Sequence, residues 1–172
     1  MATITLTALS ATQLQIPGAD PWYANPDDPA LSVMTDFRER ASVTIAETAT
    51  VDAALEHMKH TGVRCAFAID DAQRRVVGLI TAYDIMGERP MRHMQSVAVT
   101  RAQVLVKDLM VKLVDWRVIT VKQIERSTVS ALAKIFAESH LTHIAVVETD
   151  EHGAQRLRGL LSAARVKRLL SR

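Results

Sequence analysis

The sequence predicts an α/β fold built from one small unit that occurs twice in the chain. The first observation is an apolar strand that turns directly into a helix start, beginning at Gly78 and again at Gly159. The second is an apolar helical pattern that begins at Val51 and again at Val129. Both patterns place apolar residues at i, i+3, i+4 and i+7, the spacing of one buried helix face. This ordered double occurrence indicates a repeated supersecondary unit.

The offsets between the two copies support a true repeat. The helical patterns lie 78 residues apart and the two glycines lie 81 residues apart. The difference fits a longer polar turn in the second copy, at 148–156 against 70–75. One copy, with three short strands and two helices, buries too little apolar surface to be stable alone. We therefore expect the copies to pack through their sheets about a pseudo-twofold axis.

Each helix and strand has a local signal. Thr50 is the expected cap of the first helix, which ends near Gly62 because glycine favours the C-cap position. Further helices are expected from Ala82 and from Ala163. The predicted strands are 43–45, 63–69 and 76–80 in the first copy, and 118–121, 141–147 and 157–161 in the second.

The repeats leave an N-terminal segment and a linker. Four prolines between positions 17 and 29 exclude a continuous helix there. That segment is either an extended arm that packs Trp22 and Tyr23 on a neighbouring surface or a disordered tail. The predicted boundaries are 1–30 for the arm, 31–87 for the first copy, 88–103 for the linker and 104–172 for the second copy. Three linker residues predict a short amphipathic helix: Met91, Met94 and Val97.

Composition limits the class of protein. Hydrophobic residues make up 48% of the 172 residues, which is typical of a globular protein, and no apolar run approaches a membrane span. The N-terminus lacks the features of a secretory signal. The single cysteine, Cys65, excludes an internal disulfide and indicates a reducing compartment. We therefore expect a cytoplasmic protein without a membrane partner, with Cys65 as a core residue.

The charge pattern favours a small anionic ligand over nucleic acid. The net charge is +2, and four aspartates but no lysine or arginine precede Arg38, so the remainder of the chain is mildly basic. Nucleic-acid binding usually needs a concentrated basic patch. The cations that end the last helix are explained by the helix dipole; they are Arg165, Lys167, Arg168 and Arg172.

Other candidate chemistry lacks the necessary partners. His57 and His60, like His140 and His143, are spaced i, i+3 but have no third ligand at a fixed spacing, so no metal site is predicted. The chain contains neither a nucleophile elbow nor a Walker-type loop. We expect no catalytic residue and no enzyme activity.

The stretch from Gly78 to Asp84 has two interpretations. A strand that turns into a helix start presents backbone N–H groups that suit an anion. The hydroxyl of Thr81 and the carboxylate of Asp84, one helical turn later, would add groups for a phosphate and a sugar diol. The alternative is a capped helix that follows a core strand.

The repeated pattern resembles a tandem pair of CBS domains, also called a Bateman module. Each copy has a methionine-containing lead-in, at 32–35 and 107–110, followed by the strand, helix, two strands and glycine-led turn described above. The resemblance covers about 31–170. It implies that clefts between the copies bind an adenosyl compound as a regulatory ligand, such as AMP, ADP, ATP or S-adenosylmethionine, with no cofactor required.

The resemblance also implies roles for individual residues. Thr81 would contact phosphate and Asp84 the ribose hydroxyls. The other predicted residues of the first cleft are Gly78, Ile80, Tyr83, Val43, Thr44, Ile45, Arg64, Cys65 and Ala66. Those of a possible second cleft are Ser162, Arg165, Ile119, Thr120, Thr142, His143 and Ile144.

Arg165 departs from the family pattern, because it stands where an aspartate is expected. A guanidinium has only donors, so it cannot accept hydrogen bonds from a sugar diol, although it can pair with a phosphate. We therefore expect two unequal clefts and one nucleotide per chain.

The sequence thus predicts a small regulatory module that senses an adenine nucleotide and responds by changing shape or assembly. It is expected to form a homodimer through the second helices, at 83–87 and 163–170, and to act on an unidentified protein partner. One alternative is a ligand-free interaction scaffold. A weaker alternative is a nucleic-acid-binding module.

Overall fold

The computed structural model describes residues 23–72 and 75–171, so Trp22, most of the predicted arm and Arg172 lie outside the described residues. The described strands are β1 (Thr35–Asp36), β2 (Thr44–Ala46), β3 (Cys65–Ile69), β4 (Val76–Thr81), β5 (Val111–Lys112), β6 (Val118–Thr120), β7 (His143–Thr149) and β8 (Gln155–Ser162). The described α-helices are α1 (Val51–Thr61), α2 (Ala82–Met86), α3 (Arg89–Val97), α4 (Val106–Leu109), α5 (Val121–Ile124), α6 (Val129–Ser139) and α7 (Ala163–Leu170).

Two mixed sheets form the described fold, in the strand orders β2-β3-β4-β5 and β1-β8-β7-β6. In each sheet the first predicted strand of the copy runs parallel to the middle strand, which pairs antiparallel with the third. The predicted two-repeat α/β fold is confirmed. The predicted number of strands per sheet is corrected from three to four, because a two-residue lead-in strand extends each sheet.

The lead-in strands are exchanged between the copies. Strand β5, the first strand of the second copy, pairs with β4 of the first, and β1 of the first copy pairs with β8 of the second. Gly78 and Gly159 allow this close crossing. A Cβ at Gly78 would lie 2.8 Å from the Val111 carbonyl oxygen, and one at Gly159 would lie 2.7 Å from the Thr35 carbonyl oxygen. The glycines are therefore required by packing between the copies.

The long helices begin and end where their local sequence predicts. The Thr50 hydroxyl accepts a hydrogen bond from the Ala53 amide at 3.2 Å, and Gly62 ends α1 with a φ of 70°. In α6, Thr128 caps the start, and His140 occupies the left-handed C-cap position with a φ of 56°. The amphipathic linker helix is also confirmed as α3. None of the described helices is long and apolar enough to cross a membrane.

Each copy has its own core between sheet and helices, and the lead-in of the other copy completes it. Val104, Val106 and Leu109 are buried in the first core, while Val33 and Met34 are buried in the second. A third cluster lies where the sheets face each other; it contains Phe67, Leu79 and Leu160, with Phe37 and Trp116 packed against them. The prediction that the copies pack through their sheets is confirmed.

The described end of the N-terminal segment packs on the second copy. The Ala24 amide donates to the Leu169 carbonyl at 2.8 Å, and the Ala30 amide donates to the Ser127 carbonyl at 2.9 Å. Ala24 and Ala30 are buried in the second core, whereas Tyr23 is largely exposed. Residues 23–30 are therefore an ordered part of that copy, and the earlier part of the predicted arm lies outside the described residues.

Candidate functional site

A cleft opens between the two sheets where β4 meets β7. It has an empty volume of about 540 Å³, part of it open to solvent. Leu79, Thr81 and Asp84 line it from the first copy. The second copy supplies the other lining residues: Val111, Asp115, Trp116, Arg117, Leu141, Thr142, His143, Ala145 and Leu160. The cleft thus combines apolar walls with a few polar groups, the usual make-up of a small-molecule site.

Thr81 and Asp84 form a capping box at the start of α2. The Thr81 hydroxyl accepts from the Asp84 amide at 3.2 Å, and the Asp84 Oδ2 atom accepts from the Thr81 amide at 2.9 Å. The Thr81 hydroxyl also donates to the same Oδ2 atom at 2.7 Å. The capped-helix interpretation of this stretch is confirmed, and the same two side chains face the cleft.

Asp84 has a second partner, on the helix that follows. The Nη1 atom of Arg89 in α3 donates to the Asp84 Oδ1 atom. The Asp84 side chain is only 15% exposed, so this ion pair is partly shielded from solvent. An ionised carboxylate has about four lone-pair sites. Oδ2 already accepts twice from Thr81 and Oδ1 once from Arg89, so Oδ1 alone retains capacity for a further donor.

His143 lies across the cleft from Asp84. Burial lowers the pKa of His143, and the nearby Asp84 carboxylate partly offsets that shift. Its Nδ1 atom lies 3.2 Å from the hydroxyl of Thr142, which lines the same cleft. The imidazole is therefore neutral at neutral pH, with one nitrogen as donor and the other as acceptor, and its Nδ1 atom is already paired with Thr142.

The turn after β5 supplies three lining residues that sequence reasoning missed: Asp115, Trp116 and Arg117. The indole Nε1 atom of Trp116 donates to the Val111 carbonyl at 3.1 Å and fixes the ring against the sheet. The available signal was an aromatic residue flanked by opposite charges in a chain with only 4% aromatic residues. Trp116 lies outside the repeated motif in the sequence, so the motif does not indicate that this residue lines the cleft.

The structure places three of the predicted residues beside a different cavity from the expected one. Thr142 and His143 were expected in the second cleft, and they line the same cleft as Thr81. Arg64 was expected beside Thr81, and its side chain lines another cavity with Ser162 and Arg165. The reason is the pseudo-twofold arrangement, in which the end of β4 faces the start of β7.

Strand alternation places other predicted site residues away from this cleft. Ile80, Ala66 and Ile144 are buried in the helix-facing cores. Their neighbours Leu79 and Ala145 face the cleft instead, because successive strand side chains point to opposite faces. Three further predicted residues pack against the cores: Val43, Ile45 and Ile119. The three are therefore core residues and do not line this cleft.

The remaining predicted residues are also outside this cleft. Gly78 contacts the crossing lead-in, Thr44 lies on β2, Thr120 caps α5, and Tyr83 is largely exposed on α2. Cys65 packs between the sheets, and burial raises the pKa of its thiol to about 11. The thiol is therefore protonated at neutral pH, as expected for a packed cysteine. Among the described residues, no three histidine, cysteine or acidic side chains are grouped to hold a metal ion.

The two clefts related by the pseudo-symmetry differ in how they are filled. Ala145 and Phe67 occupy equivalent positions, since Ala145 pairs with Leu160 and Phe67 pairs with Leu79. Ala145 leaves space in the cleft of Thr81. In the other cleft, the Phe67 ring fills the equivalent space. Its centroid lies 5.5 Å from that of Phe37 and 5.8 Å from that of Trp116.

The fold and the cleft define a two-repeat α/β module with a small-molecule-sized cleft between facing sheets. The sequence model of the CBS domain matches residues 35–90 and 106–172. The chain therefore belongs to the CBS domain family, and the resemblance drawn from the repeated motif is confirmed. No curated protein has a sequence that matches this chain.

Solved structures share the fold at low sequence identity. CBSX2 from Arabidopsis thaliana, solved in complex with AMP, is 22% identical with a TM-score of 0.54, over 82% of this chain and 94% of that one. A CBS-domain containing protein from Agrobacterium tumefaciens is 18% identical with a TM-score of 0.56, over 91% and 98%. GMP reductase from Trypanosoma brucei is 15% identical with a TM-score of 0.54, over 80% of this chain and 26% of that one.

Proposed function

We propose that the protein is a non-catalytic regulatory module that binds an adenine nucleotide (AMP, ADP or ATP) in the cleft between its two repeats. The observation that carries the proposal is the cleft itself, in which Thr81 and Asp84 of one repeat face Thr142 and His143 of the other. A ligand there would contact both repeats and would favour one relative arrangement of them.

Each part of the cleft suits a different part of a nucleotide. Leu79, Ala145 and Leu160 offer apolar walls for a base, with the Trp116 ring at the edge. The guanidinium of Arg117 is a donor for phosphate. The Thr81 hydroxyl would donate to phosphate by turning its hydrogen away from the Asp84 Oδ2 atom. The remaining lone pair of the Asp84 Oδ1 atom would accept a hydrogen bond from a ribose hydroxyl. CBSX2, which shares the fold, binds AMP, and this supports the choice of ligand class.

A thermal-shift series tests the proposal directly. A nucleotide at about 100 times its dissociation constant adds roughly 2.7 kcal/mol to the free energy of unfolding. For a domain of this size, the melting temperature should rise by about 5–10 °C. The series compares AMP, ADP, ATP, adenosine and S-adenosylmethionine with GMP as the control for the base. If no adenosyl compound at millimolar concentration raises the melting temperature, the proposal is wrong.

A second function, interaction through exposed helices, is favoured by a different observation. Tyr83, Met86 and Met91 on α2 and α3 are each at least 60% exposed, although they are large and apolar. We propose that this face contributes to a homodimer, since an isologous twofold contact is the commonest closed arrangement. Light scattering at tens of micromolar should give twice the chain mass for the parent and a smaller mass for Met86→Asp. A monomeric parent would remove the dimer from the proposal.

A further inference from the structure

A groove on the helical side of the second copy is separate from the proposed nucleotide cleft. This α6–α7 groove is open to solvent and has an empty volume of about 760 Å³. Alanines from both helices leave the space, and Lys167 is the one charged residue among those that line it. An open groove of this composition suits an apolar chain segment. The lining residues are Ala133, Phe136, Ala137, Ala163, Val166, Lys167, Leu170 and Ser171.

The described N-terminal segment is bonded to both helices of this groove. The Ser130 amide, in the first turn of α6, donates to the Pro26 carbonyl at 2.9 Å. The Ala24 amide donates at 2.8 Å to the Leu169 carbonyl, in the last turn of α7. Both bonds give partners to groups that a helix end leaves unsatisfied. Followed towards its N-terminus, the chain therefore passes from the start of α6 to the end of α7, where Leu170 lines the groove.

Residues 14–22, which lie outside the described residues, are long enough to follow the groove. Along α7 the groove extends from residue 163 to residue 170, about 10 Å at a rise of about 1.5 Å per residue. An extended chain covers about 3.3 Å per residue, so residues 14–22 can reach roughly 30 Å. The length of chain next to the groove is therefore sufficient to line it from end to end.

The composition of residues 14–22 complements the groove. Leu14, Ile16 and Trp22 carry large apolar side chains, and Asp20 is the one charged residue in this stretch. Lys167 forms no ion pair with a carboxylate in the described part of the chain. An Asp20–Lys167 pair would match the one charge on each side and fix the register of the segment.

From these observations we infer that residues 14–22 bind in the α6–α7 groove of their own chain, with Trp22 as the apolar anchor and Asp20 paired with Lys167. The inference goes beyond the proposed function, because the groove lies outside the nucleotide cleft. The occupant is the same chain, since its described part already ends beside the groove.

Fluorescence of the full chain tests the location of Trp22. Trp116→Phe removes the other of the two tryptophans, so the remaining emission comes from Trp22. Under native conditions this emission should be blue-shifted and less quenched by acrylamide than in urea. Adding Ala137→Arg places a charged side chain in the groove and should shift the emission to the red. Ala137 is exposed, so the fold should be retained, and the melting temperature checks this.

Matched variants separate the groove from the rest of the surface. Ala131→Arg makes the same change at an exposed residue of α6 outside the groove and should leave Trp22 emission unchanged. Lys167→Glu should shift the emission to the red, and adding Asp20→Lys should restore it. Lys122→Glu, at an exposed lysine outside the groove, should have no effect.

A short bismaleimide cross-linker identifies whose segment fills the groove. In Asp20→Cys/Lys167→Cys, both introduced thiols should react with one linker within a single chain. In the control Asp20→Cys/Lys122→Cys, the introduced thiols should not be joined. The native Cys65 packs between the sheets, so it should not compete for the linker.

Four results would overturn the inference. The first is native Trp22 emission equal to that in urea. The second is an equal effect of Ala137→Arg and Ala131→Arg. The third is equal cross-linking of Asp20→Cys to the cysteines introduced at positions 167 and 122. The fourth is a cross-link between two chains, which would assign the groove to a second copy.

Discussion

At the scale of single residues, Asp84 has two structural partners and one proposed ligand. Its Oδ2 atom closes the start of α2, and its Oδ1 atom pairs with Arg89. A ribose bound at this carboxylate would share it with both partners. Arg89 belongs to α3, the helix that links the two repeats. A ligand that binds Asp84 would therefore change the Asp84–Arg89 ion pair that holds this helix.

Replacing Asp84 should therefore affect binding more than folding. Hydrogen bonds to a charged group contribute about 1.5–3 kcal/mol, so Asp84→Ala should weaken AMP binding roughly 10- to 150-fold in calorimetry. Loss of the helix-start hydrogen bond should cost about 1 kcal/mol of unfolding free energy.

Asp108 provides a matched control for that variant. Its Oδ2 atom accepts from the Leu105 amide at 2.9 Å at the start of α4, outside the cleft, as Asp84 does from the Thr81 amide. Asp108→Ala should lower the melting temperature similarly but leave AMP affinity unchanged. Equal affinity of parent and Asp84→Ala would show that Asp84 does not hold the ribose.

His143 should make the protein less stable in mild acid. Its pKa is lowered in the folded chain, so the unfolded chain binds the proton more readily. The stabilising contribution of neutral His143 is complete above the ordinary pKa of about 6.5, and it is lost as the pH falls below that value.

Urea unfolding at pH 7.5 and pH 5.5 measures this dependence. The difference in unfolding free energy between the two pH values should be smaller in His143→Gln than in the parent. His60→Gln, an exposed histidine of α1, should behave like the parent. An unchanged pH dependence in His143→Gln would remove this histidine as the cause.

At the scale of elements, Gly78 and Gly159 have equivalent roles at the two strand crossings. A Cβ at Gly78 would lie 2.5 Å from the Met110 Sδ atom, and one at Gly159 would lie 2.5 Å from the Met34 Sδ atom. Overpacking of this kind costs about 1–3 kcal/mol. Gly78→Ala and Gly159→Ala should each lower the melting temperature by about 2–10 °C.

Each glycine variant serves as a control for the other, because both place a methyl group at equivalent strand crossings. Calorimetric melting should give similar decreases for both. If either variant melts like the parent, the crossing at that glycine is looser than the contact distances indicate.

The elements whose signals are local could be predicted from the sequence. Thr50 and Gly62 bound α1 by capping chemistry, and the apolar period fixes its buried face. The lead-in strands β1 and β5 could not be predicted, because two-residue strands have no periodicity and their partners lie in the other copy.

The candidate site could be predicted only in part, for the same physical reason. Thr81 and Asp84 were recognised from one short motif, and both face the cleft. The resemblance implies site roles for His143 and Arg64, but the cavity that each side chain lines depends on which sheet ends meet. That arrangement is a property of the tertiary structure, which no local pattern contains.

At the scale of the whole molecule, the two halves are similar in fold and unequal in their clefts. Phe67 fills one side and Ala145 opens the other, so we expect one nucleotide per chain. The sequence analysis predicts the same stoichiometry from Arg165 in the second cleft. The difference between Phe67 and Ala145 is a separate reason for it. Calorimetry should give a stoichiometry near one with AMP, and two equivalent sites would contradict both reasons.

Making the open cleft resemble the filled one should abolish binding there. Ala145→Phe would place an aromatic ring where the base is proposed to lie, so AMP affinity should fall at least about tenfold, since filling the pocket removes the contacts that stabilise the base. Ala145→Ser is a control of nearly unchanged size. If Ala145→Phe still binds AMP like the parent, the base does not occupy this position.

The exchange of lead-in strands has a consequence for folding cooperativity. Each half of the chain supplies an edge strand and several buried side chains to the other, and the partly buried Asp36–Arg158 ion pair reinforces one of these crossings. If either repeat unfolded, the other would lose the edge strand that it receives from it. We therefore expect no half-folded state to accumulate. The calorimetric and van't Hoff enthalpies of unfolding should therefore agree. Two polypeptides produced by a cut at 98–100 would each lack a strand that only the other can provide, and they should regain native structure only when mixed.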